Sequence, residues 1–329
     1  MKAKVCAGSG KKAGKHLIQR ESIVKAAKMY YYDEMSQQEI AIELGISRSN
    51  VSRMLKISRE MNIVNIRIDD SSVRSLEVSE RLKEKFALKE VIIAPTNNDP
   101  EINISNIGFH AARYLETLLK DNMHIGVTWG GSIYHTISSL MPTVRTSTKV
   151  IQMMGGASWS DSYKYGVQLV LWFSEKIGGQ AKLLNAPLML GDKQLRDRLM
   201  QEDAIKEHME LARRVDAALV GIGTNDKSIS TMVLANTISP EESGLLWTSG
   251  ILAHICGRPI NEKGEILRNG ISERILAVEL EDLKRIPDVI GVAGGPSKVQ
   301  PILACLRGGH INTLITDEET ALLVDKHAK

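Results

Sequence analysis

Residues 36–55 read SQQEIAIELGISRSNVSRML, and they predict their own structure more completely than any other stretch of the chain. Ser36 and Glu39 have the spacing of a capping box, in which each side chain accepts a hydrogen bond from the backbone N–H of the other residue. This spacing predicts a helix over 37–44. Gly45 follows at once, and glycine best adopts the left-handed conformation that a tight turn between two helices requires.

A third helix is predicted after this turn, and Ser47 can cap its start. Apolar residues occupy the inner positions of both helices, and a preceding amphipathic helix over 21–32 supplies a surface to cover them. The spacing is that of a DNA-binding helix-turn-helix, although a purely structural helical hairpin would use similar apolar positions. The matching residues are Ile40, Ala41, Leu44, Gly45, Ile46, Val51 and Met54.

The outward face of the third helix carries only polar and basic side chains. Arginine suits guanine and asparagine suits adenine in the major groove, while serine can contact either base type or a phosphate. Asp and Glu are absent from 47–59, whereas an ordinary solvated helix face would mix both signs of charge. The predicted DNA-contacting residues are Ser47, Arg48, Ser49, Asn50, Ser52 and Arg53.

A short wing is predicted after this helix. Val64, Ile66 and Ile68 alternate with polar residues, which is the period of a half-buried strand. Arg67 on this wing could touch the DNA backbone, or it could be a plain surface arginine.

The composition is that of a folded, water-soluble protein with two cores, since the chain has 329 residues of which 43% are apolar and 25% charged. It contains no run of about 18 apolar residues and no secretory leader, so we expect a cytoplasmic protein with no membrane partner. Cys6, Cys256 and Cys305 lack the paired spacing of a zinc site or a disulfide framework and are predicted to be free thiols. No cofactor is expected.

The charge is unevenly distributed along the chain. Residues 1–68 have a net charge of +7, whereas residues 69–329 have a net charge of −4. A basic surface attracts phosphate backbones, although a basic tail can also serve solubility alone. The sequence thus predicts a flexible basic arm over 1–20, a helix-turn-helix domain over 21–69, a linker helix over 70–88 and a larger domain over 89–329.

The larger domain is predicted to be a Rossmann-like α/β fold, because apolar strand-like runs alternate with helical stretches. Alternation of this kind indicates a mainly parallel, doubly wound sheet. The predicted strands cover 91–94, 124–128, 149–154, 182–185, 217–222, 289–293 and 313–316.

Several of these strands end in glycine-rich loops just before a helix, where open α/β sheets bind ligands. Free backbone N–H groups at a helix start form a cradle for an anion such as a phosphate. Lys298 can add a positive charge or be a solvated lysine, and Trp129 can stack on a ligand, although filling the core is favoured. Because glycines also serve ordinary turns, a single loop does not identify a site. The glycine-rich loops at the strand ends, taken together, predict a phosphate site. Its residues are Thr128, Trp129, Gly130, Gly131, Ser132, Gly155, Gly156, Gly223, Gly294, Gly295 and Lys298.

With these motifs, the chain resembles the SorC family of sugar-responsive regulators from about residue 23 to residue 325. The resemblance implies an effector domain similar to glucosamine-6-phosphate deaminase and ribose-5-phosphate isomerase, used to sense a sugar phosphate. It also implies homodimers or homotetramers on palindromic operator half-sites, with the 128–132 loop and Lys298 as phosphate holders. The motifs lie at 30–32, 36–41, 44–48, 126–130, 216–223, 255–258 and 315–318.

Two departures from the family pattern narrow the range of possible ligands. Met154 stands where one branch of the family carries a lysine that can form an imine with its sugar aldehyde, so a covalent mode is not expected. His254 stands where the family often has an aspartate. We therefore expect His254 to contact a different group of the effector, which could be a modified sugar, a polyol phosphate or another metabolite.

A sugar-phosphate isomerase or deaminase with a helical extension is the alternative function. Such an enzyme needs a positioned acid or base beside the phosphate loops, and the sequence has no evident carboxylate pair, G-x-S-x-G elbow or matched cysteine for it. A structural hub would use neither predicted site. We therefore expect a regulator, not an enzyme, that binds the operator of a carbohydrate or related catabolic operon under the control of a phosphorylated sugar or polyol.

Overall fold

The computed structural model describes residues 10–61, 63–64, 73–143, 147–157, 166–226, 228–268 and 270–328. The chain divides into two compact units, residues 1–69 and residues 70–329. No helix within these described ranges is long and apolar enough to cross a lipid bilayer.

The N-terminal unit contains helices α1 (Gly10–Tyr31), α2 (Gln37–Leu44) and α3 (Arg48–Glu60). Both halves of the capping box form, since the N–H of Ser36 donates to Glu39 Oε2 at 2.8 Å and the N–H of Glu39 donates to Ser36 Oγ at 3.3 Å. Gly45 is left-handed with φ 64°, and these bonds and this turn confirm the predicted helix-turn-helix.

The core of this unit draws on all three helices. Leu44, Ile46 and Met54 pack against it while partly buried. The helical spacing of these positions puts them on the inner faces of α2 and α3, where apolar burial stabilises the unit. The buried core residues are Ala26, Ala27, Met29, Ile40, Ala41, Val51 and Leu55.

Helix α1 is longer than the sequence suggests. It begins at Gly10, so residues 10–20 are helical and the predicted flexible arm over 1–20 is wrong for that part. Lysine, alanine, leucine and glutamine in this stretch favour a helix, and no proline interrupts it. Arg67 and the wing lie outside the described residues except for its first residue, Val64.

The second unit is built on a sheet of nine described strands, of which seven are parallel and run in the order β1-β9-β8-β5-β2-β3-β4. This confirms the predicted doubly wound α/β fold. The strands are β1 (Glu90–Ala94), β2 (His124–Val127), β3 (Lys149–Gln152), β4 (Gln180–Lys182), β5 (Ala217–Thr224), β6 (Ile251–Ile255), β7 (Arg258–Asn261), β8 (Asp288–Val292) and β9 (Thr313–Asp317).

Eleven described helices belong to this unit. They are α4 (Val73–Phe86), α5 (Pro100–Leu118), α6 (Gly131–Ser139), α7 (Val167–Ile177), α8 (Lys193–Leu199), α9 (Asp203–Ala212), α10 (Thr231–Leu234), α11 (Pro240–Thr248), α12 (Leu280–Leu283), α13 (Val299–Arg307) and α14 (Glu318–His327). A short 3-10 turn, Pro296–Lys298, leads into α13.

The strand order reverses between β2 and β5. From β2 the chain adds β3 and β4 on one side, and from β5 it adds β8 and β9 on the other. Connections that leave two neighbouring strands in opposite directions open a crevice at their carboxyl ends, and ligands bind there in open α/β sheets. The fold thus predicts the position of a site.

The hairpin of β6 and β7 was not predicted. It pairs antiparallel to the end of β5. Its two-residue turn places Cys256 at φ 51° and Gly257 at φ 74°, as a type I′ turn requires. Cysteine is an unusual residue for the first of these positions, so the sequence lacks the Asn-Gly signal that normally marks such a hairpin.

The conformation of Gly45 yields a stability prediction with a matched control. Gly45→Ala should lower the free energy of unfolding by about 1–2 kcal/mol because a Cβ disfavours the left-handed region. Gly244→Ala, in the interior of α11, should instead raise it by roughly 0.8–1.0 kcal/mol through helix propensity. A Cβ built at either glycine meets no described atom within 4 Å, so steric clash does not enter the comparison. Urea unfolding followed by circular dichroism measures both values, and changes of the same sign would contradict the assigned turn.

Candidate functional site

The first candidate site is the exposed face of α3. Val51 and Leu55 turn inward and are buried, so the polar residues between them face solvent. Ser47 is committed to capping, because its Oγ accepts from the N–H of Asn50 at 3.2 Å and lies 2.9 Å from Ser49 Oγ. The predicted contacts that the structure leaves exposed are Ser47, Arg48, Ser49, Asn50, Ser52 and Arg53.

Two further basic residues extend this face, and the sequence reasoning did not single them out. Lys56 and Arg59 lie one and two turns beyond Arg53 and are exposed. Lys56 Nζ is 3.8 Å from Glu60 Oε1, which leaves it near the helix surface. Lys56 and Arg59 follow Arg53 at intervals of three residues, and residues three and four apart share a helix face. This spacing in the sequence could have identified them.

The second candidate site is a cavity of about 350 Å³ at the carboxyl ends of β2, β5 and β8. It lies in the crevice that the reversal of strand order creates. The predicted residues that line it are Thr128, Trp129, Gly130, Gly131, Ser132, Gly223, His254, Gly294 and Lys298.

Gly155, Gly156 and Gly295 were also predicted for this site, but they do not line the cavity. The N–H of Gly155 donates to Leu276 O at 3.0 Å, and a Cβ at Gly155 would collide with the backbone of Pro187. Gly156 exchanges backbone hydrogen bonds with the same neighbouring segment. Gly155 permits close backbone packing, a role that local sequence does not distinguish from phosphate binding.

Gly295 belongs to a loop that Asp317 holds in place. The N–H of Gly295 donates to Asp317 Oδ2 at 2.7 Å and to Thr320 Oγ1 at 2.8 Å. Asp317 is fully buried, and a Cβ at Gly294 would collide with its carboxylate. The acidic side chain therefore positions the cavity wall at Gly294 without lining the cavity itself.

Trp129 is a structural residue of the cavity wall. It is only 6% exposed, and its Nε1–H donates to Gly155 O at 2.9 Å. The favoured interpretation, that Trp129 fills core, agrees with this burial. The hydrogen bond joins the loop after β2 to the loop after β3.

The start of α6 supplies backbone donors to the cavity. Gly130 has φ 139°, and none of the described side chains caps this helix. The first N–H groups of a helix lack intrahelical partners and carry partial positive charge. Because Gly130, Gly131 and Ser132 line the cavity, these groups can bind an anion there.

Lys298 supplies a positive charge to the same cavity. Its Nζ donates to Ile222 O at 3.1 Å. Burial lowers the pKa of Lys298 to about 8, against a smaller opposing effect of Cys305. The group is therefore mainly an ammonium at neutral pH, and it loses its charge within an accessible pH range.

His254 is a buried neutral imidazole. Its Nδ1 lies 3.1 Å from Asn225 Oδ1. Burial, with the nearby charge of Lys298, lowers the pKa of His254 to about 3. Its ring contributes hydrogen bonding to the cavity and no charge.

Several lining residues were missed. Glu101 and His135 face each other, with His135 Nε2 3.6 Å from Glu101 Oε2. His135 lies one turn after Gly131 on α6, so its helical spacing from the glycine loop was an available signal. The other missed lining residues are Pro100, Ile104, Met154, Gly221, Ile222, Ile229, Thr231, Met232, Cys256, Gly257, Val292 and Ala293. Those at 154, 221–222 and 292–293 lie at the ends of predicted strands, and only the fold brings in the rest.

Among the described residues, no cluster of three or more His, Cys, Asp or Glu side chains could hold a metal ion. The cavity instead offers backbone donors, the Lys298 ammonium, the neutral His254 imidazole and the facing pair of Glu101 and His135. Such a set suits an anionic, hydroxylated molecule, and the described lining contains no paired carboxylates for acid–base chemistry.

Two known family models match this chain, one in each unit. The family described as "Putative sugar-binding domain" matches residues 70–324, and the family described as "Sigma-70, region 4" matches residues 26–60. The sorbitol operon regulator of Klebsiella pneumoniae is 33% identical over 311 residues, which cover 92% of this chain and 97% of that protein. The chain belongs to the SorC family of sugar-binding transcriptional regulators.

Other SorC-family comparisons extend over the same length. The deoxyribonucleoside regulator of Bacillus subtilis (strain 168) is 31% identical, and the match covers 91% of this chain and 95% of that protein. The crystal structure of the full-length sorbitol operon regulator SorC from Klebsiella pneumoniae has a TM-score of 0.74, with 31% identity and coverage of 92% and 97% of the two chains. This SorC-family chain is thus a DNA-binding transcriptional regulator, not an enzyme.

The close approach of Gly223 to His254 can be tested by stability. A Cβ at Gly223 would collide with the imidazole, so Gly223→Ala should lower the free energy of unfolding by about 1–3 kcal/mol. Gly156→Ala is the control, since a Cβ there meets no described atom within 4 Å, and it should change the value by roughly 0.5 kcal/mol or less. In a His254→Ala background most of the cost of Gly223→Ala should vanish. A full cost in that background, measured by urea unfolding, would contradict the contact.

Proposed function

We propose that this regulator controls a carbohydrate or related catabolic operon, binding operator DNA through α3 and a phosphorylated sugar or polyol through the cavity. The observation that carries the effector assignment is the convergence of the α6 start and Lys298 on one cavity. Backbone N–H groups and an ammonium together suit a phosphate better than they suit a neutral sugar. The rest of the cavity can then hold the hydroxylated part of the molecule.

The relatives support the class of effector and of target. One similar protein is a sorbitol operon regulator and another is a deoxyribonucleoside regulator. Both names refer to polyhydroxylated compounds. The cavity chemistry of this chain fits a phosphate ester of such a compound.

We infer that the protein acts in the cytoplasm as a homodimer or homotetramer on palindromic operator half-sites. A single recognition helix reads only a few base pairs, and paired helices one helical turn apart give the specificity that an operator needs. An effector that binds one arrangement of subunits more tightly would change the spacing of these helices and so change DNA binding. This coupling makes the DNA affinity depend on the metabolite.

The assignment of α3 predicts the effect of Arg53→Ala. The substitution should weaken binding to DNA upstream of the regulated genes roughly 5- to 100-fold, the range expected for a lost contact to a base or phosphate. Fluorescence anisotropy at fixed salt measures this change. Arg214→Ala, which removes the same charge from an exposed position of the second unit, is the matched control. Equal effects of the two variants would contradict a specific role for Arg53.

The assignment of Lys298 predicts a pH-dependent affinity. Lys298→Gln should raise the Kd of ribose 5-phosphate or sorbitol 6-phosphate roughly 10- to 100-fold, because a charged hydrogen bond is lost. The wild-type affinity should also fall as the pH rises through about 8, where Lys298 loses its proton. Phosphate is already a dianion there and does not titrate.

Titration calorimetry at several pH values between 7 and 9 provides the measurement. The Kd of Lys298→Gln should be independent of pH in this range, since the titrating group is gone. Parallel pH curves for wild type and variant would remove Lys298 from the site.

A further inference from the structure

His254 is held close to the backbone of β5. In the antiparallel pairing of β5 with β6, His254 is opposite Gly223. A Cβ at Gly223 would collide with Nε2 of the imidazole, so this nitrogen lies directly over the glycine. Both residues line the cavity, so the Nε2 edge of the ring, and not the Nδ1 edge bonded to Asn225, is the part that a ligand can meet.

Asn225 determines which nitrogen of His254 carries the proton. The side-chain amide of Asn225 donates to Ile251 O at 3.2 Å and to Ala253 O at 3.5 Å, so its Oδ1 is the atom that faces His254 Nδ1 at 3.1 Å. A carbonyl oxygen only accepts hydrogen bonds, so Nδ1 must be the donor. In a neutral imidazole the other nitrogen, Nε2, then has a free lone pair and acts as an acceptor.

The cavity keeps this imidazole neutral. The ring is buried and close to the ammonium of Lys298, and both effects hold the pKa of His254 down to about 3. Protonation at Nε2 would place two cations side by side in a buried space. His254 thus presents a permanent acceptor beside the donors of Lys298 and the α6 start.

The position of this acceptor relative to the anion cradle follows from β5. Three consecutive residues of β5 meet these groups. Gly221 approaches Ser132 at the start of α6, and Gly223 lies under the His254 imidazole. Between them the carbonyl of Ile222 accepts a hydrogen bond from Lys298 at 3.1 Å. A strand advances by about 3.3 Å per residue, so the start of α6 and the imidazole are separated by roughly 6–7 Å along the strand. Lys298 lies between them.

We propose that His254 is a specificity-determining residue that accepts a hydrogen bond from one hydroxyl of the effector, at a point about 6–7 Å along β5 from the α6 start that holds the phosphate. This inference rests on the proposed function, in which the α6 start and Lys298 hold that phosphate. A hydroxyl satisfies the buried acceptor, whereas a deoxy position leaves it unpaired, and a carboxylate or second phosphate places one acceptor against another. The site therefore selects a monophosphate that keeps a free hydroxyl at this position.

The test compares full-length protein with its variants on matched ligands. The probes are ribose 5-phosphate, sorbitol 6-phosphate and the monodeoxy analogues of each, including 2-deoxyribose 5-phosphate, with the Kd measured by titration calorimetry. In the wild type, one deoxy analogue should bind roughly 5- to 100-fold more weakly than its parent, the cost of leaving a buried acceptor unpaired. The ratio of the two Kd values is the readout, since a general loss of stability would not change it.

The variants test whether His254 is responsible for the ratio of the two Kd values. In His254→Leu, which has no acceptor, the ratio for this analogue should fall to about 1, whereas the ratios for the other analogues stay as in wild type. In His254→Gln the side-chain oxygen can replace Nε2, so part of the ratio should return. His327→Leu, at an exposed histidine near the end of α14, is the control and should keep every ratio. If His254→Leu does not fold, His254→Asn, whose shorter side chain cannot reach the position of Nε2, takes its place.

The outcomes separate this inference from the proposed function. If no phosphorylated probe binds the wild type, the proposed function fails and the role of His254 fails with it. If probes bind and lose affinity in Lys298→Gln, but no deoxy ratio depends on residue 254, the proposed function stands and the role of His254 is overturned.

Discussion

The site of the second unit depends on the absence of a side chain at Gly223, near the carboxyl end of β5. A Cβ there would collide with the His254 imidazole, whereas a Cβ at Gly221 would meet Ser132 Oγ at an ordinary contact distance of 3.4 Å. Between them a carbonyl accepts the hydrogen bond of Lys298. Because three elements approach one strand, each polar group is placed by the strand and not by the ligand. Such preorganisation lowers the entropic cost of binding.

The walls around this strand are tied to one another by hydrogen bonds. Asp317 at the end of β9 holds the loop after β8, and Trp129 joins the loops after β2 and β3. Arg258, the first residue of β7, makes a third connection. Its guanidinium donates to Ala277 O at 2.9 Å and to Glu279 Oε1 at 2.7 Å. The buried polar groups thus serve mainly to fix the cavity, while few of them face its interior. This division explains why some polar and glycine motifs at the strand ends lie next to the site without lining it.

The two units differ in how much of their structure could be predicted from the sequence. The helix-turn-helix was predictable because its signals are local: Ser36 and Glu39 are three residues apart, and Gly45 acts through its own φ angle. The strand-end loops that hold Thr128–Ser132, Gly223 and Lys298 were also predictable, since the αβ alternation puts them at one edge of a parallel sheet. Gly155 looks the same in sequence, yet its role is to let two backbone segments meet. Residues of α5 such as Glu101 carried no local signal, because only the packing of α5 against α6 brings them to the cavity.

The order of residues along the chain was sufficient for the DNA-binding helices, the parallel sheet and the edge of that sheet where a ligand binds. Each of these follows from interactions between residues close in sequence, namely capping, helical or strand periodicity, and turn conformation. The tertiary structure alone decided which glycines line the cavity, that β6 and β7 form a hairpin over β5, and that Asn225 turns His254 into an acceptor. These features arise from contacts between segments far apart in sequence, such as Gly155 with Leu276, and spacing along the chain carries no record of such contacts.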